Sequence, residues 1–448
     1  MQGIAAPDAV PRVRHALLIN RSFALLWTGQ AISGLGDMAF NTTLALWIVT
    51  GVARGQSWAP LAMSGVLAAA ALPDLLVGPF AGVFVDRWDR RRTMMLMDAL
   101  RTGLIVLLAF LTGIVSLPFL GSVHPSTAWA LGSVYLVALL TGSCSQFFSP
   151  AKMGILGDLM PAADLPRASG MTQAAGSVTL LIGPPLGTVV FFTVGAGPAL
   201  TFNALSFAVS WLAIRSIRVP VPMKVRSRNA RGFWGELLEG LRFFAGNRTL
   251  TTLLVAAVVA SLGAGALNTL DIFFLTRNLH APLRLYGALS AVEGAGLLLG
   301  SLLAGTIALR LGVQRTIWLG LLAMGVLFAL YSRLTAFAPA AAVIFVLGFP
   351  IAAVNSSLVP LVLRVTPDAL VGRVFSVLGP ALTLAILVSM AVSGYIASSL
   401  PANLHTNWLG MRWGAVDTLF TGAGLLLLVS GVYAALRLHD GSSAEATP

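Results

Sequence analysis

Cysteine is almost missing from this chain. Cys144 stands alone in an apolar segment, which excludes an internal disulfide and any cysteine-held metal. Histidine is scarce as well: His15, His124, His280, His405 and His439 lie in tails or connections without metal-ligand spacing. No metal site and no cofactor are expected, and no catalytic set of an enzyme can be assembled. A glycine-rich phosphate loop is also lacking, so this chain alone is not a nucleotide-driven pump. The largest deficit is charge. Charged residues are 10% of the chain, against about 25% in a soluble domain, so most of the surface cannot face water.

What replaces the charge is apolar. Hydrophobic residues reach 57% of the 448, and a membrane-crossing helix needs roughly 20 of them. The apolar segments fall at about 22–52, 60–85, 93–116, 127–150, 169–193 and 197–217, then at about 250–277, 285–309, 316–334, 338–363, 373–399 and 413–437. They are continuous rather than alternating, which argues against a β-barrel and predicts an all-α membrane protein of twelve transmembrane helices. The first follows a basic tail (Arg12, Arg14, Arg21). It is too long for the apolar core of a signal peptide, so a retained helix is expected.

The net charge of +12 would point to nucleic acid in a soluble protein. In a membrane protein it reports orientation, because Lys and Arg gather on cytoplasmic loops. With the N-terminus inside, 22 basic residues fall on inner segments and 5 on outer loops, with Arg101 inside the third segment. Both termini are therefore expected in the cytoplasm, and no nucleic-acid partner is expected. Six segments, a polar break and six more predict a six-helix bundle over 1–217, a cytoplasmic linker over 218–249 and a second bundle over 250–448. In the linker, Phe233, Leu237, Leu241 and Phe244 recur at helical spacing among Glu236, Glu239 and Arg242, which predicts an amphipathic helix on the bilayer surface. Residues 441–448 are expected to be a disordered tail.

The halves repeat each other. Ala81, Gly82, Arg87, Arg92 and Thr93 recur 223 positions later as Ala304, Gly305, Arg310, Arg315 and Thr316, and Pro161 and Arg167 are echoed by Pro367 and Arg373. Six helices per repeat keep both copies in the same orientation, so the halves run parallel around an axis along the membrane normal.

The run from Gly82 through Asp86, Arg87, Arg90 and Arg91 resembles the loop signature of the major facilitator superfamily, Gly-x-x-x-Asp-Arg-x-x-Arg-Arg, and 305–315 is similar to its degenerate second copy. The opening Asn20-Arg-Ser-Phe23 to Gln30, with Gly34-Leu-Gly-Asp37, resembles the bacterial macrolide-efflux and siderophore-exporter branch. Ile182-Gly183-Pro184-Pro185-Leu-Gly187 is similar to the antiporter signature, with Thr179 and Thr188 standing where that signature has glycine. The fourth helix lacks the arginine that many drug–proton antiporters carry. The resemblance implies that Asp86 contacts the start of helix eleven near Arg373. With Gly82, Arg87, Arg90 and Arg91 it would form a latch between the inner ends of the halves, since a helix N-terminus attracts a carboxylate.

Ionisable residues within a bilayer are costly unless they face a cavity or a partner. Asp37 and Asp74 fall near the middle of helices one and two, and either could bind and release a proton. Asp37 is the first candidate, with Asn41 or Gln30 as side chains that could instead hold it in a structural role. Asp74 follows Pro73 and could instead satisfy backbone groups freed by the proline. Asp271 and Glu293 sit nearer the outer third, where they could bind protons or a cation, or pair with Arg277 or Arg284. Asp98 and Arg101 are read as structural partners of the arginine loop. Gly183, Pro184 and Pro185 are expected to form a hinge, because proline removes a helix hydrogen bond. The resulting expectation is a monomeric, proton-coupled exporter of hydrophobic or amphipathic small molecules in the bacterial inner membrane, with substrate, protons and lipid bilayer as partners. A dedicated exporter of an endogenous product such as a siderophore, or a lysolipid transporter, is the alternative. Anion uptake is disfavoured because only Arg101 is available to grip an anion. A receptor or membrane enzyme is the reading from a different class.

Overall fold

The computed structural model describes residues 19–114, 125–161, 164–217, 242–367, 370–401, 406–408 and 411–439. The first half contains α1 (Arg21–Trp47), which ends in a π-helical turn at Ile48–Val52, α2 (Ala59–Leu76), α3 (Gly78–Val85), α4 (Arg90–Leu111), α5 (Thr127–Leu159), α6 (Leu165–Val194) and α7 (Ala196–Arg215). The second contains α8 (Arg248–Arg277), α9 (Tyr286–Leu311), α10 (Val313–Tyr331), α11 (Phe337–Val365), α12 (Val371–Ser399) and α13 (Ala415–His439). A short hairpin precedes α13, pairing β1 (Thr406–Trp408) with β2 (Met411–Trp413) antiparallel. Among the described residues, twelve helices are long and apolar enough to cross a membrane. The chain is a multi-pass membrane protein. The predicted second segment is two helices, because α2 carries Pro73 inside it and breaks at Val77 before α3.

The repeat governs packing. In the first half α1 packs on α6 and α7, α5 on α2 and α4, and α4 on α7. Moving six spans along gives the second half: α8 on α12 and α13, α11 on α9 and α10, and α10 on α13. Local details repeat too. Asn20 caps α1 by accepting from the Phe23 N–H at 2.7 Å, and its amide donates to the Leu159 carbonyl at the end of α5 at 3.1 Å. Asn247 caps α8 by accepting from the Leu250 N–H at 3.1 Å and reaches the Val365 carbonyl at the end of α11 at 3.5 Å. Thr93 and Thr316 are both buried, and each donates its hydroxyl to a carbonyl four residues back at 2.9 Å.

The halves meet through two symmetric pairs, α2 with α12 and α6 with α9. Close approach runs from the end of the bundle away from the chain ends to its middle, where a Cβ on Gly294 of α9 would lie 3.2 Å from the Leu181 Cα of α6. At that end of the bundle a Cβ on Gly394 would collide with Ser64 and the Pro60 carbonyl, and one on Gly287 would lie 2.8 Å from the Pro184 carbonyl. The Ser398 hydroxyl accepts from the Leu61 N–H at 2.9 Å in the same region. Toward the terminal face the interface helices separate: a Cβ added at Gly82, Gly176, Gly305 or Gly379 would meet no atom within 4 Å. The tight contacts between the halves therefore gather toward one face, and none of these four glycines makes such a contact toward the face where the described chain begins and ends.

Most of the predicted linker helix (233–241) and the 441–448 tail lie outside the described residues; 242–246 is helical and Phe244 is buried.

Candidate substrate cavity

On the terminal-face side of the first half, α1, α4, α5 and α6 enclose a cavity of about 340 Å³. Phe23, Trp27, Met38, Phe148, Met153 and Leu156 give it apolar walls, while Gln30, Asp37, Arg101 and Lys152 supply polarity. Asp37 makes no hydrogen bond or ion pair with a described residue, although Arg101 and Lys152 both act on it electrostatically. Neither predicted holder engages it. Gln30 donates to the Ser210 hydroxyl at 3.0 Å on α7, and Asn41 points to the exposed surface, one turn beyond Asp37.

Arg101 departs from its expected place. It is not tied to the arginine loop; it lines the cavity at 5% exposure, between the rings of Phe148 at 4.8 Å and Phe207 at 5.4 Å. Asp98 lies behind it, fully buried, 3.7 Å from the guanidinium and accepting from the Ser210 hydroxyl at 2.6 Å. Lys152, just past the predicted fourth segment at about 127–150, is also a cavity residue. The reason is helix length: α5 passes through Pro150 and continues to Leu159, which carries Lys152 onto the wall one turn beyond Phe148. Contrary to the expectation from sequence, Arg101 is therefore not the one cation placed to grip an anion.

The predicted latch residues divide. Arg90 pairs with Asp158 at 2.8 Å, and Arg91 donates to the carbonyls of Ile214 at 3.0 Å and of Arg215. Both bind α4 to α5 and α7 within one half instead of joining two halves. Arg87 and Asp86 are exposed, and Asp86 makes no ion pair with a described residue. Arg373 is half-buried in the first turn of α12. Gly82 is not a close-approach position here, because a Cβ added to it would meet no atom within 4 Å.

Close approach instead occurs on α6, which runs through Pro184 and Pro185 without a break. A Cβ on Gly183 would overlap Met38, and one on Gly187 would lie 2.8 Å from the Ala39 Cα. Where the antiporter signature has glycine, Thr179 packs on Gly34 of α1 and Thr188 on Gly287 of α9. The small residue has moved to the facing helix, so the contact stays tight.

The other candidates lie elsewhere. Asp74 is exposed and accepts from Gln146 of α5, which is its partner in place of backbone freed by Pro73. In the second half the buried Tyr331 hydroxyl donates to Asp271 at 2.9 Å. Glu293 and Tyr286 lie within electrostatic reach of Asp271. Neither acid pairs with Arg277 or Arg284; Arg277 packs over the Phe273 ring at 5.2 Å. Among the described residues, no group of His, Cys, Asp and Glu could hold a metal ion.

Two six-helix halves that meet through α2 with α12 and α6 with α9, with an apolar-walled cavity carrying charged side chains in the first half, define a secondary transporter of the major facilitator type. A family model described as transmembrane secretion effectors matches residues 13–445, and the chain belongs to that family. It is 22% identical over 436 residues to the uncharacterized MFS-type transporter YkuC of Bacillus subtilis, covering 95% of this chain and 94% of that one. To the multidrug efflux pump Tap of Mycobacterium tuberculosis it is 28% identical over 369 residues, 79% and 82% of the two chains. A bacterial homologue of the iron transporter ferroportin has the same fold at 14% identity. Its inward-facing structure matches with a TM-score of 0.73, covering 93% of this chain and 98% of that one. Its outward-facing structure matches at 0.62, with 15% identity over 94% and 100% of the two chains. The family and these relatives are transporters, not enzymes.

Proposed function

We propose that the chain exports hydrophobic or amphipathic small molecules by alternating access, exchanging them for protons at Asp37. The terminal face is cytoplasmic in this reading, the membrane is the bacterial inner membrane, and the protein works as a monomer. The observation that carries it is Asp37, a carboxylate without a direct partner on the wall of an apolar cavity that lies toward the terminal face. A carboxylate in that position can hold a proton or a cationic group, and one excludes the other. The basic-residue count supports the orientation, and efflux by the relative Tap supports the direction. Rocking of the halves would close the terminal face, bring Asp86 toward the start of α12 near Arg373, and separate α2 from α12. Gly183, Pro184 and Pro185, which pack α6 on both α1 and α9, would be the pivot.

The test is reconstitution into liposomes holding a pH-sensitive dye, with lipophilic cations, macrolides and siderophores as the panel. At least one compound is expected to drive proton movement that Asp37→Asn abolishes. Substrate crossing without proton movement, or an Asp37→Asn protein that behaves like the parent, would remove the coupling claim.

A further inference from the structure

We infer that the cavity between α1, α4, α5 and α6 receives a zwitterionic head group, with a carboxylate directed to Arg101 and Lys152 and an amine to Asp37. This rests on the transport reading above and names the class of molecule carried.

Three charged side chains line one cavity, and no direct ion pair within 4.0 Å joins Asp37 to either cation. Arg101 is nine-tenths buried, and its Nε has no hydrogen-bond partner. Its own acid, Asp98, stands off at 3.7 Å and gives its second oxygen to Ser210. The flanking rings of Phe148 and Phe207 hold the guanidinium but cannot accept its N–H groups in the plane. Lys152 makes no hydrogen bond or ion pair with a described residue, and it is one of only two lysines in the chain, the other being Lys224. Charges withdrawn from water are costly unless paired, and inside membrane proteins they mark substrate paths.

The arrangement selects among ligands. A simple cation would satisfy Asp37 but meet Arg101 and Lys152 with like charge. A simple anion would reverse the problem, and a neutral molecule would leave Asp37 and Lys152 unmatched and Arg101 with only its distant contact to Asp98 at 3.7 Å. A group that bridges the gap must carry both signs, as a free amino acid or short peptide does. The apolar walls take its hydrocarbon part. Asp37 faces Arg101 of α4 and Lys152 of α5, with Asp98 behind them, so its proton and the incoming amine compete for one carboxylate. When the ammonium docks, the Asp37 O–H bond breaks and its proton passes to water at the terminal face, leaving a carboxylate to pair with the ammonium; no other covalent bond is made or broken. The exchange of substrate for proton then follows from the site itself.

The experiment uses the full chain in lipid nanodiscs and four probes sharing one alkyl tail. These are 2-aminododecanoic acid, its methyl ester (cation), its N-acetyl derivative (anion) and dodecanamide (neutral), with binding followed by equilibrium dialysis. The zwitterion is expected to bind at least about tenfold more tightly than any of the other three. Lys152→Met and Arg101→Gln should each lower its affinity to that of the ester, and Asp37→Asn to that of the N-acetyl compound. Should Arg101→Gln fail to fold, Lys152→Met, at a half-exposed position, carries the same test. Equal binding of the four probes, or tighter binding of the ester, overturns the inference. If none binds while lipophilic cations still drive proton movement in liposomes, the inference fails and the exporter reading stands. If no compound drives transport, the exporter reading fails, while the four binding curves still decide the head group.

Discussion

The two halves share a packing plan but not a chemistry. In the first, the cavity places Asp37 opposite Arg101 and Lys152, with Asp98 buried behind the arginine. In the second, Asp271 and Glu293 have tyrosines for neighbours, and no arginine or lysine forms an ion pair with either acid among the described residues. The difference separates what the repeat keeps from what it leaves open. Helix order and helix caps are duplicated because each half must solve the same packing problem. Charges are not duplicated, because the packing problem that the halves share does not require them. A charged pair on one side and acids alone on the other would orient a bound molecule.

The sharpest way to break this comparison is to remove the acid from each half. Asp98→Ala leaves Arg101 deeply buried without its neighbouring acid, which costs about 3–5 kcal/mol when a buried pair is broken. Asp271→Ala leaves the Tyr331 hydroxyl without its acceptor, at about 1–3 kcal/mol. Thermal unfolding in detergent should therefore show Asp98→Ala as the more damaging of the two. Equal losses would mean that Asp271 also balances a buried cation, and the contrast between halves would collapse.

A second experiment acts on the tight contacts between the halves. Gly394 lies against Ser64 where α12 meets α2, so Gly394→Leu overpacks that contact by about 1–3 kcal/mol. That is enough to shift a two-state equilibrium by roughly 5- to 150-fold. On a Cys144→Ser background, spin labels at Arg87→Cys and Arg310→Cys occupy the same place in each repeat. Their separation should shorten as the terminal face closes. An unchanged distance would mean that the halves do not rock about the contacts described here.

The sequence made the twelve spans and the parallel repeat legible because hydropathy and the 223-residue offset are local, additive signals. The cavity was less legible. Asp37 and Gln30 could be placed on a helix near one another, but the role of Arg101 depends on Phe148 and Phe207, which come from two other helices. Lys152 was hidden because Pro150 reads as the end of a helix, although α5 continues through it. Arg90 and Arg91 read as a latch to the other half, and their real partners, Asp158 and the α7 carbonyls, are close only in the folded bundle. The exposed side of Asn41 could not be told from hydropathy alone, since α1 is apolar nearly all round.

One echo was readable and lay outside the gap-free alignment. Asn20-Arg-Ser and Asn247-Arg-Thr stand 227 residues apart rather than 223, so they fall out of register with the loop signature. Their side chains nonetheless do the same two things, capping the first helix of a half and holding the end of its fourth. Losing such a cap costs about 0.5–2 kcal/mol. Asn20→Ala and Asn247→Ala should therefore destabilise by similar, small amounts, with Asn20→Ala the slightly larger because its amide reaches Leu159 at 3.1 Å while Asn247 reaches Val365 at 3.5 Å. Both variants should keep substrate-driven proton movement, since neither residue lines the cavity. A large loss from one and none from the other would show that the repeat is kept in helix order but not in how its helix ends are held. The division drawn above, shared packing with divergent charge, would then have to begin at the caps.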